Sequence, residues 1–425
     1  MSNHLRKSLL LYPAGVILIM AVLYLFLQRA PRPSPSPRLP VPDPRLANLG
    51  VAPDWTTLSR YNDVLTRAEF VNALQDVYLL GDNLHFDITD KGVTVTSTLS
   101  PPGPPVSFAG QGTRNPPPRY WRPASEIPAG PSGEPLSGIR IAIDPGHIGG
   151  KWAQMEQRWY QVDDTIPVTE GDMTLLTAKL LAPRLESLGA IVSLVRSTCE
   201  PVTELRPHDL TEYASRLLPG APSDEVVSLS EKLFYRSAEI RARAALINET
   251  MKPDLVLCLH FNAEHWGNDP SNPLFSNRNH FHMILHGSYM DGEIAHEDER
   301  LELMHKIFQR VHEEEVPLAS AVATAFLEDT GLPAYLYRLG KPARQVGPAL
   351  WTRNLLANRL YQCPVLFCEP YVMNNEEVYN RVQAGDYDGE REVAGKLRKS
   401  IYREYRDAVV KGLVNYYSSR PEGNP

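Results

Sequence analysis

Hydrophobic and polar residues alternate over Ile139–Ile143, where every second residue is isoleucine, and this pattern predicts a β-strand. An Asp-Pro-Gly turn ends it, because proline cannot donate a ladder hydrogen bond and glycine permits a sharp turn. The turn leaves His147 at the carboxyl end of the strand, which is the end where ligands bind in open α/β sheets. A lone histidine is more often structural than a ligand, so this position needs support from other segments.

Strand and helix patterns alternate from Ile139 onward, which predicts an α/β fold with a mainly parallel sheet and helices on both faces. The further predicted strands are Ala190–Val195, Asp254–His260, His280–Leu285 and Val365–Cys368. The predicted helices are Asp172–Leu188, with a kink at Pro183, then Leu233–Thr250, Glu299–Val311, Ala319–Leu327 and a long terminal helix over Glu390–Tyr417. Residues 199–231 and 264–279 have the composition of loop-rich insertions.

Residues 55–109 carry a shorter pattern that predicts a small α+β module. Thr66 followed by Glu69 is a capping-box pattern at the start of a helix. Residues 84–88 and 93–96 alternate as two strands around a turn. No cluster of chemical groups lies here, so we expect a structural or partner-binding role, with a regulatory protein as the candidate partner.

The amino terminus contains an uncharged, mostly apolar stretch from Leu9 to Leu27. A membrane span needs about 20 such residues, so the stretch predicts an anchor, and a cleavable signal peptide is the alternative. Arginines after the stretch outnumber the basic residues before it. On the positive-inside rule alone, this would place the chain that follows the stretch on the cytoplasmic side. The next segment, residues 30–53, is rich in proline, arginine and serine, and this composition predicts an extended tether.

Composition divides the chain into five predicted parts. Within its 425 residues there is room for two domains or more. The predicted parts are an N-terminal membrane anchor (1–28), a Pro-rich linker (29–54), the small α+β module (55–109), a Pro/Gly-rich linker (110–138) and a catalytic domain (139–420).

Charge and cysteine content exclude some classes of function. The net charge of −7 argues against a nucleic-acid surface, which should be basic. The 4 cysteines form no C-x-x-C pair of the metal-binding type.

Four acidic or imidazole residues lie where predicted strands end or a predicted helix begins: His147, Glu170, His260 and Glu369. In a parallel sheet such ends meet along one edge, so residues far apart in sequence can converge. Two histidines and one glutamate leave a fourth metal position for water, which is the usual catalytic zinc arrangement. A second glutamate, not bound to the metal, can then take the proton from that water. A carboxylate after an apolar strand is also a common helix cap or ion-pair member.

The motif order resembles the zinc-dependent N-acetylmuramoyl-L-alanine amidases of peptidoglycan. The resemblance covers Ile139 to Tyr417 and is carried by Ile141-Ala-Ile-Asp-Pro-Gly-His147, Glu170, Arg196 after a strand, Leu259-His-Phe-Asn-Ala263, and Glu369 with Asn375 six residues later. It implies that His147, Glu170 and His260 bind Zn²⁺ and that Glu369 is catalytic.

The resemblance also implies a reaction and a location. The family hydrolyses the amide between the lactyl group of N-acetylmuramic acid and L-alanine. Arg196, Asn262, Asn375 and Tyr371 are then the expected substrate-binding residues. An enzyme with this substrate belongs to the cell envelope, anchored by its N-terminal helix with the catalytic domain outside the cytoplasm, on the periplasmic side.

Several positions depart from the family pattern. Ile148 is an extra residue between His147 and two glycines, and Tyr371 stands where the family has glycine. Glu156 is a rival third ligand. His280, His282 and His286 share one face of a predicted strand, where surface or substrate contacts are expected rather than a second metal.

Two other functions fit the same residues. A catalytically degenerate relative would bind wall peptides without cutting them, and it would be expected to lack a ligand. A zinc peptidase of similar sheet architecture would cut a peptide bond instead, and metal ligands alone do not identify the substrate.

Overall fold

The computed structural model describes Leu49, residues 53–97, 101–110, Gly112, residues 114–338 and residues 340–420. The predicted anchor over Leu9–Leu27 lies outside these residues, as does most of the predicted tether. Within the described part of the chain, no helix combines the length and the apolar character needed to cross a membrane.

Strands and helices alternate along the chain from Arg140 onward. The strands are β1 (Phe86–Ile88), β2 (Gly92–Val95), β3 (Val106–Ser107), β4 (Arg140–Pro145), β5 (Trp159–Tyr160), β6 (Val168–Thr169), β7 (Ile191–Leu194), β8 (Leu255–Leu259), β9 (Phe281–His286), β10 (Arg344–Gly347), β11 (Leu350–Arg353), β12 (Val365–Pro370), β13 (Glu390–Val393) and β14 (Lys396–Lys399).

The α-helices are α1 (Arg67–Ala73), α2 (Glu170–Glu186), α3 (Thr211–Leu217), α4 (Ser223–Lys232), α5 (Glu239–Ala245), α6 (Asp291–Ile294), α7 (Glu297–Phe308), α8 (Val311–Thr330), α9 (Leu356–Leu360), α10 (Glu376–Gln383) and α11 (Ile401–Tyr417). π-Helical turns lie at Leu74–Tyr78, Leu233–Ala238 and Leu246–Met251, and 3-10 turns at Trp55–Tyr61, Ala124–Glu126, Gly150–Trp152 and Pro207–Leu210.

A seven-stranded sheet forms the centre of the structure, in the order β10-β11-β9-β12-β8-β4-β7. Strands β7, β4, β8 and β12 are mutually parallel, and β9 and β11 are parallel to each other. The antiparallel pairs are β9–β12 and β10–β11. The central strands are nearly continuous runs of buried apolar residues, as expected for strands covered on both faces. The predicted α/β class with a mostly parallel sheet is confirmed.

Helices cover both faces of this sheet. Ile141 and Ile143 of β4 pack on one face in a cluster with residues of α2, α8 and α11. Ala142 of β4 and Val256 of β8 pack on the other face with residues of α9 and of the helical segment that follows α5. The side-chain alternation of the strands therefore divides the core into two layers.

Two sequence predictions about helices were wrong. Residues 390–399, expected within the terminal helix, form the β13–β14 hairpin, and the helix begins at Ile401. Ala394 and Gly395 have φ of 50° and 74°, which is the conformation of a two-residue hairpin turn. Residues 199–231, which were expected to be rich in loops, contain α3 and most of α4. Ala214 of α3 and Val226 of α4 are buried in one apolar cluster.

The module at residues 55–109 contains the predicted helix and strands. Thr66 and Glu69 form the expected capping box, since each side chain accepts a hydrogen bond from the other residue's backbone N–H. β1, β2 and β3 pair antiparallel. The apolar side chains of the module share one cluster with residues of α6 and α7, in which the Phe308 ring lies 5.4 Å from Tyr61 and 5.5 Å from Phe70. The module therefore has a core in common with the α6–α7 region.

The Pro/Gly-rich segment at residues 110–138 packs against the same body. The Trp121 ring is 1% exposed, and its Nε1 donates to Gln309. Arg122 and Arg140 both form ion pairs with the buried Asp254, at 2.6 Å each. The division of the chain into domains at these boundaries stays a prediction.

We expect Phe308→Ala to destabilise the module together with α7. Truncating a fully buried phenylalanine costs about 3–5 kcal/mol in the free energy of unfolding, and this ring joins the two segments. Hydrogen exchange should accelerate in β1–β3 and in α7 together. The exposed Leu397→Ala is the control, and unchanged exchange in β1–β3 of Phe308→Ala would show that the two cores are separate.

A buried carboxyl group in α8 predicts a pH-dependent stability. Burial raises the pKa of Glu315 to about 7, although the Lys306 ammonium opposes this effect. The Glu315 carboxyl accepts a hydrogen bond from Val365 N–H at 2.9 Å, a role that glutamine can also fill. Between the unfolded value of 4.5 and about 7, the folded protein binds more protons than the unfolded chain, so this group lowers stability as pH rises.

Glu315→Gln should therefore gain stability relative to wild type as the pH increases. At about 1.4 kcal/mol per pKa unit, the gain between about pH 5 and pH 8 should be ~2–3 kcal/mol. Urea unfolding at a series of pH values measures it, with Glu313→Gln on the exposed face of α8 as the control. A difference that does not change with pH would contradict the assignment.

Candidate metal centre and active site

His147 stands on a strained turn that two arginines, Arg243 and Arg196, hold in place. Its φ is +58°, which is uncommon for a residue with a side chain. Arg243 donates to the His147 carbonyl oxygen at 2.9 Å and forms a buried ion pair with Asp144 at 2.8 Å. Arg196, 4% exposed, donates to the carbonyls of Pro145 and Gly146 before the turn and to Gly171 in α2. The histidine is thus fixed relative to the start of α2.

Glu170, the first residue of α2, lies between the two histidines and is 2% exposed. One carboxylate oxygen, Oε2, lies 3.1 Å from His147 Nε2, and the other, Oε1, lies 2.9 Å from His260 Nδ1. Oε1 also accepts a hydrogen bond from Phe261 N–H at 3.1 Å. Arg158 Nε lies 3.1 Å from Oε2, a contact that the sequence did not indicate.

The three predicted ligands therefore converge. Ligand atoms of His147, Glu170 and His260 all lie within 4.8 Å of one another. The two imidazole rings are 5.1 Å apart at an angle of 79°. Two imidazole nitrogens and one carboxylate oxygen are donors that Zn²⁺ prefers, and three protein ligands are typical of a catalytic zinc site. This donor set fits a zinc ion.

Glu156 supports His147 and does not join the cluster of ligand atoms. Its carboxylate accepts hydrogen bonds from the N–H groups of Ile148 at 2.9 Å and Gly149 at 3.0 Å. It also lies 3.5 Å from His147 Nδ1. A carboxylate on the second ring nitrogen of a ligating histidine fixes the orientation of the ring. The structure therefore brings Glu170, and not its rival Glu156, between the two histidines.

Charge and burial shift the ionisation of this site strongly. Burial disfavours the charged His147, but the Glu170 and Glu156 carboxylates raise its pKa to about 9. Burial raises the pKa of Glu170, but His147 and His260 more than reverse this and hold it well below its usual value. Glu170 is thus a buried anion that needs positive charge beside it, and a divalent cation supplies such charge.

Glu369 lies in the same cleft as the three ligands. The cleft has a volume of about 330 Å³, and its lining includes all four of the predicted metal-binding and catalytic residues. Glu369 is near the end of β12, directly opposite His282 of the antiparallel β9. Burial, together with the Glu170 carboxylate, raises the pKa of Glu369 to about 8.

The residues expected to bind substrate have different surroundings. Asn262 lines the cleft, with its Nδ2 3.4 Å from His282 Nδ1. Tyr371 is 1% exposed and donates to Glu404 at 2.7 Å, while Asn375 caps α10 by accepting from two backbone N–H groups. The guanidinium of Arg196 is used on backbone carbonyls. Arg196, Tyr371 and Asn375 thus support the local fold, and the substrate-binding roles of all four stay predictions.

Two departures from the family pattern have visible packing. The extra residue Ile148 is fully buried in an apolar cluster with Leu210 and Phe234, so it attaches the helical insertion to the metal-site turn. His280, His282 and His286 are 4%, 3% and 0% exposed, so surface contacts do not apply to them, and substrate contacts stay a prediction. Their ring nitrogens contact Glu264, Tyr337 and Tyr289, at 3.2 Å, 3.1 Å and 3.0 Å respectively.

Gly146 lies so close to His260 that any side chain would displace the ring. A Cβ added at Gly146 would lie closer than 3.0 Å to three atoms of the imidazole. We therefore expect Gly146→Ala to weaken zinc binding by about 10–100-fold, the usual cost of disturbing the support of a metal ligand. Zinc titration against a competing chelator measures this. Gly292→Ala, where a Cβ meets open space, is the matched control, and wild-type affinity in a folded Gly146→Ala variant would contradict the steric argument.

No protein-family model matches the chain, and no curated protein matches it. Among solved structures, it is similar to the N-acetylmuramyl-L-alanine amidase Ami1 from Mycobacterium abscessus, with 16% identity, a TM-score of 0.36, and coverage of 66% of this chain and 99% of that chain. Ami1 from Mycobacterium smegmatis gives 15% identity, a TM-score of 0.38 and coverage of 67% and 99%. The amidase AmiC2 of Nostoc punctiforme gives 16% identity, a TM-score of 0.33, and coverage of 66% of this chain and 98% of that chain. With every TM-score below 0.5, these likenesses decide neither the fold nor the activity of this chain.

Proposed function

We propose that this chain is a zinc-dependent amidase that hydrolyses the bond between N-acetylmuramic acid and L-alanine in peptidoglycan. The observation that supports it is the convergence of His147, Glu170 and His260 within 4.8 Å, in one cleft with a second glutamate, Glu369. The motif order that resembles the peptidoglycan amidases supports the choice of substrate.

Zn²⁺ held by these three side chains would polarise the scissile carbonyl and lower the pKa of a bound water to about 7. Glu369 is the general base that accepts a proton from the attacking water and then returns it to the leaving amine. A base is most effective when its pKa lies near the working pH, and burial beside Glu170 raises the pKa of Glu369 to about 8. Glu156 keeps the His147 ring oriented throughout.

Hydrolysis proceeds by direct attack of water, without a covalent acyl-enzyme. Cys258, Cys363 and Cys368 are buried, and burial raises the pKa of both Cys363 and Cys368 to about 12. A nucleophilic cysteine instead needs a lowered pKa.

The wider setting follows from the substrate. The enzyme works in the cell envelope, with residues 1–28 as a membrane anchor and the catalytic domain outside the cytoplasm. The module at residues 55–109 is the proposed contact for a regulatory protein, and it can transmit such contact to α7 through their common core.

We expect Glu369→Gln to lower kcat/KM on purified peptidoglycan by at least about 100-fold, because the general base is lost while the three ligands remain. Zinc content should stay at one ion per chain. A chelator should abolish wild-type release, and added zinc should restore it. Glu376→Gln, on the exposed first turn of α10, is the matched control.

Mass spectrometry of the products tests the bond. Free stem peptides beginning with L-alanine are the expected product. Cuts within the stem would contradict the amidase assignment in favour of a zinc peptidase. Binding to peptidoglycan without any zinc-dependent release would favour the degenerate binder.

A further inference from the structure

A second and larger cavity adjoins the metal cleft. Its volume is about 810 Å³, and it shares Arg158 and Ala263 with the metal cleft. Its other lining residues come from the 154–159 segment and the 264–271 loop. They are mainly amide and aromatic, and they include the amides of Gln154, Gln157 and Asn268 and the indoles of Trp159 and Trp266. We call this cavity the indole groove.

We propose that the indole groove binds the glycan strand of the substrate, a chain of β-linked N-acetylated sugars. This inference rests on the proposed function, since continuity with the metal cleft makes the groove part of the same substrate path. A scissile bond at the metal site has the glycan on one side and the peptide on the other. The groove extends from the metal site on one of these sides.

The two indoles in the groove have unused polar ends. Trp121, Trp152 and Trp351 each donate their Nε1–H to a protein acceptor. Among the described residues, no acceptor is found for the Nε1–H of Trp159 or Trp266, and both rings are half-buried. Such a ring offers an apolar face to the C–H side of a sugar and an N–H donor to a hydroxyl or acetamido oxygen.

The amide side chains of the groove are equally available. Gln154, Gln157 and Asn268 are exposed, and within the described chain their side-chain amides make no hydrogen bond. An amide has both donors and an acceptor, which match the mixed hydroxyl and acetamido groups of such sugars.

The groove is built before any ligand arrives. Tyr160, which follows Trp159 in β5, packs on the Trp266 ring at 5.4 Å. The backbone N–H of Gln161 donates to Pro270 at 3.0 Å, and the N–H of Leu274 donates to Trp266 at 2.9 Å. These contacts join the 264–271 loop to the β5 strand that leads toward Glu170, so little ordering is needed on binding.

Charge favours the glycan over the peptide in this groove. A stem peptide carries carboxylates, which need cations. Both full charges in the groove already have partners, since the Arg158 guanidinium is paired with Glu170 and the Glu264 carboxylate is paired with Arg278 at 2.6 Å. Arg236 and Arg353 line the metal cleft but not the groove, and no ion pair is found for either within the described chain. The peptide carboxylates therefore have cationic partners in the metal cleft.

Isothermal titration of the full-length chain with chitotetraose, a peptide-free β-linked N-acetylglucosamine tetramer, tests the groove. Trp266→Ala, and separately the surface double variant Gln154→Ala with Asn268→Ala, should weaken binding by about tenfold or more. The double variant changes exposed side chains and so remains informative if Trp266→Ala does not fold. Trp152→Phe, a half-buried tryptophan outside the groove, is the matched control and should bind as wild type does.

Each outcome decides for or against the groove. Absence of chitotetraose binding by wild type, or equal binding by the groove variants, would overturn the inference. Weakened binding of a free stem peptide in the groove variants, with chitotetraose binding unchanged, would assign the groove to the peptide and overturn it too. If chitotetraose binds in the groove but wild type releases no stem peptide from purified wall, the amidase function fails and the glycan site stands.

Discussion

The buried Glu170 carboxylate is the constraint on which the site depends. It stands at the first turn of α2, contacts one nitrogen of each histidine, and accepts the Phe261 N–H. An ionised carboxylate with 2% exposure is costly unless positive charge compensates it. His147, Arg158 and a bound cation are the groups that can do so, and the positions of β4, β8 and α2 bring them together.

Much of the surrounding architecture serves to hold these groups at one edge of the sheet. Arg243 and Arg196 use their donors on backbone carbonyls at the end of β4, which keeps His147 in a left-handed conformation that is unfavourable for a side chain. Ile148 attaches the helical insertion to the same turn. Strain at His147, a predicted metal ligand, is thus balanced by buried contacts that lie outside the predicted ligand set.

The central strands and the convergence of the site could be predicted from sequence because their signals are local. Alternating or continuous apolar runs gave β4, β8 and β12, and the residues ending them fell at one edge. The β13–β14 hairpin was missed because its charged residues resemble a helix surface, and the turn at Ala394-Gly395 carries a weak signal. The supporting role of Glu156, the Arg158 contact and the core shared by the module with α7 depend on packing between distant segments, which no local pattern records.

Zinc K-edge X-ray absorption on the full-length protein, loaded with one equivalent of Zn²⁺, tests the central claim most directly. The proposed site predicts nitrogen and oxygen donors at about 2.0–2.1 Å, with the scattering signature of two imidazole rings that falls to one ring in His260→Ala. Sulfur donors at about 2.3 Å, or a spectrum that His147→Ala, Glu170→Ala and His260→Ala all leave unchanged, would contradict it.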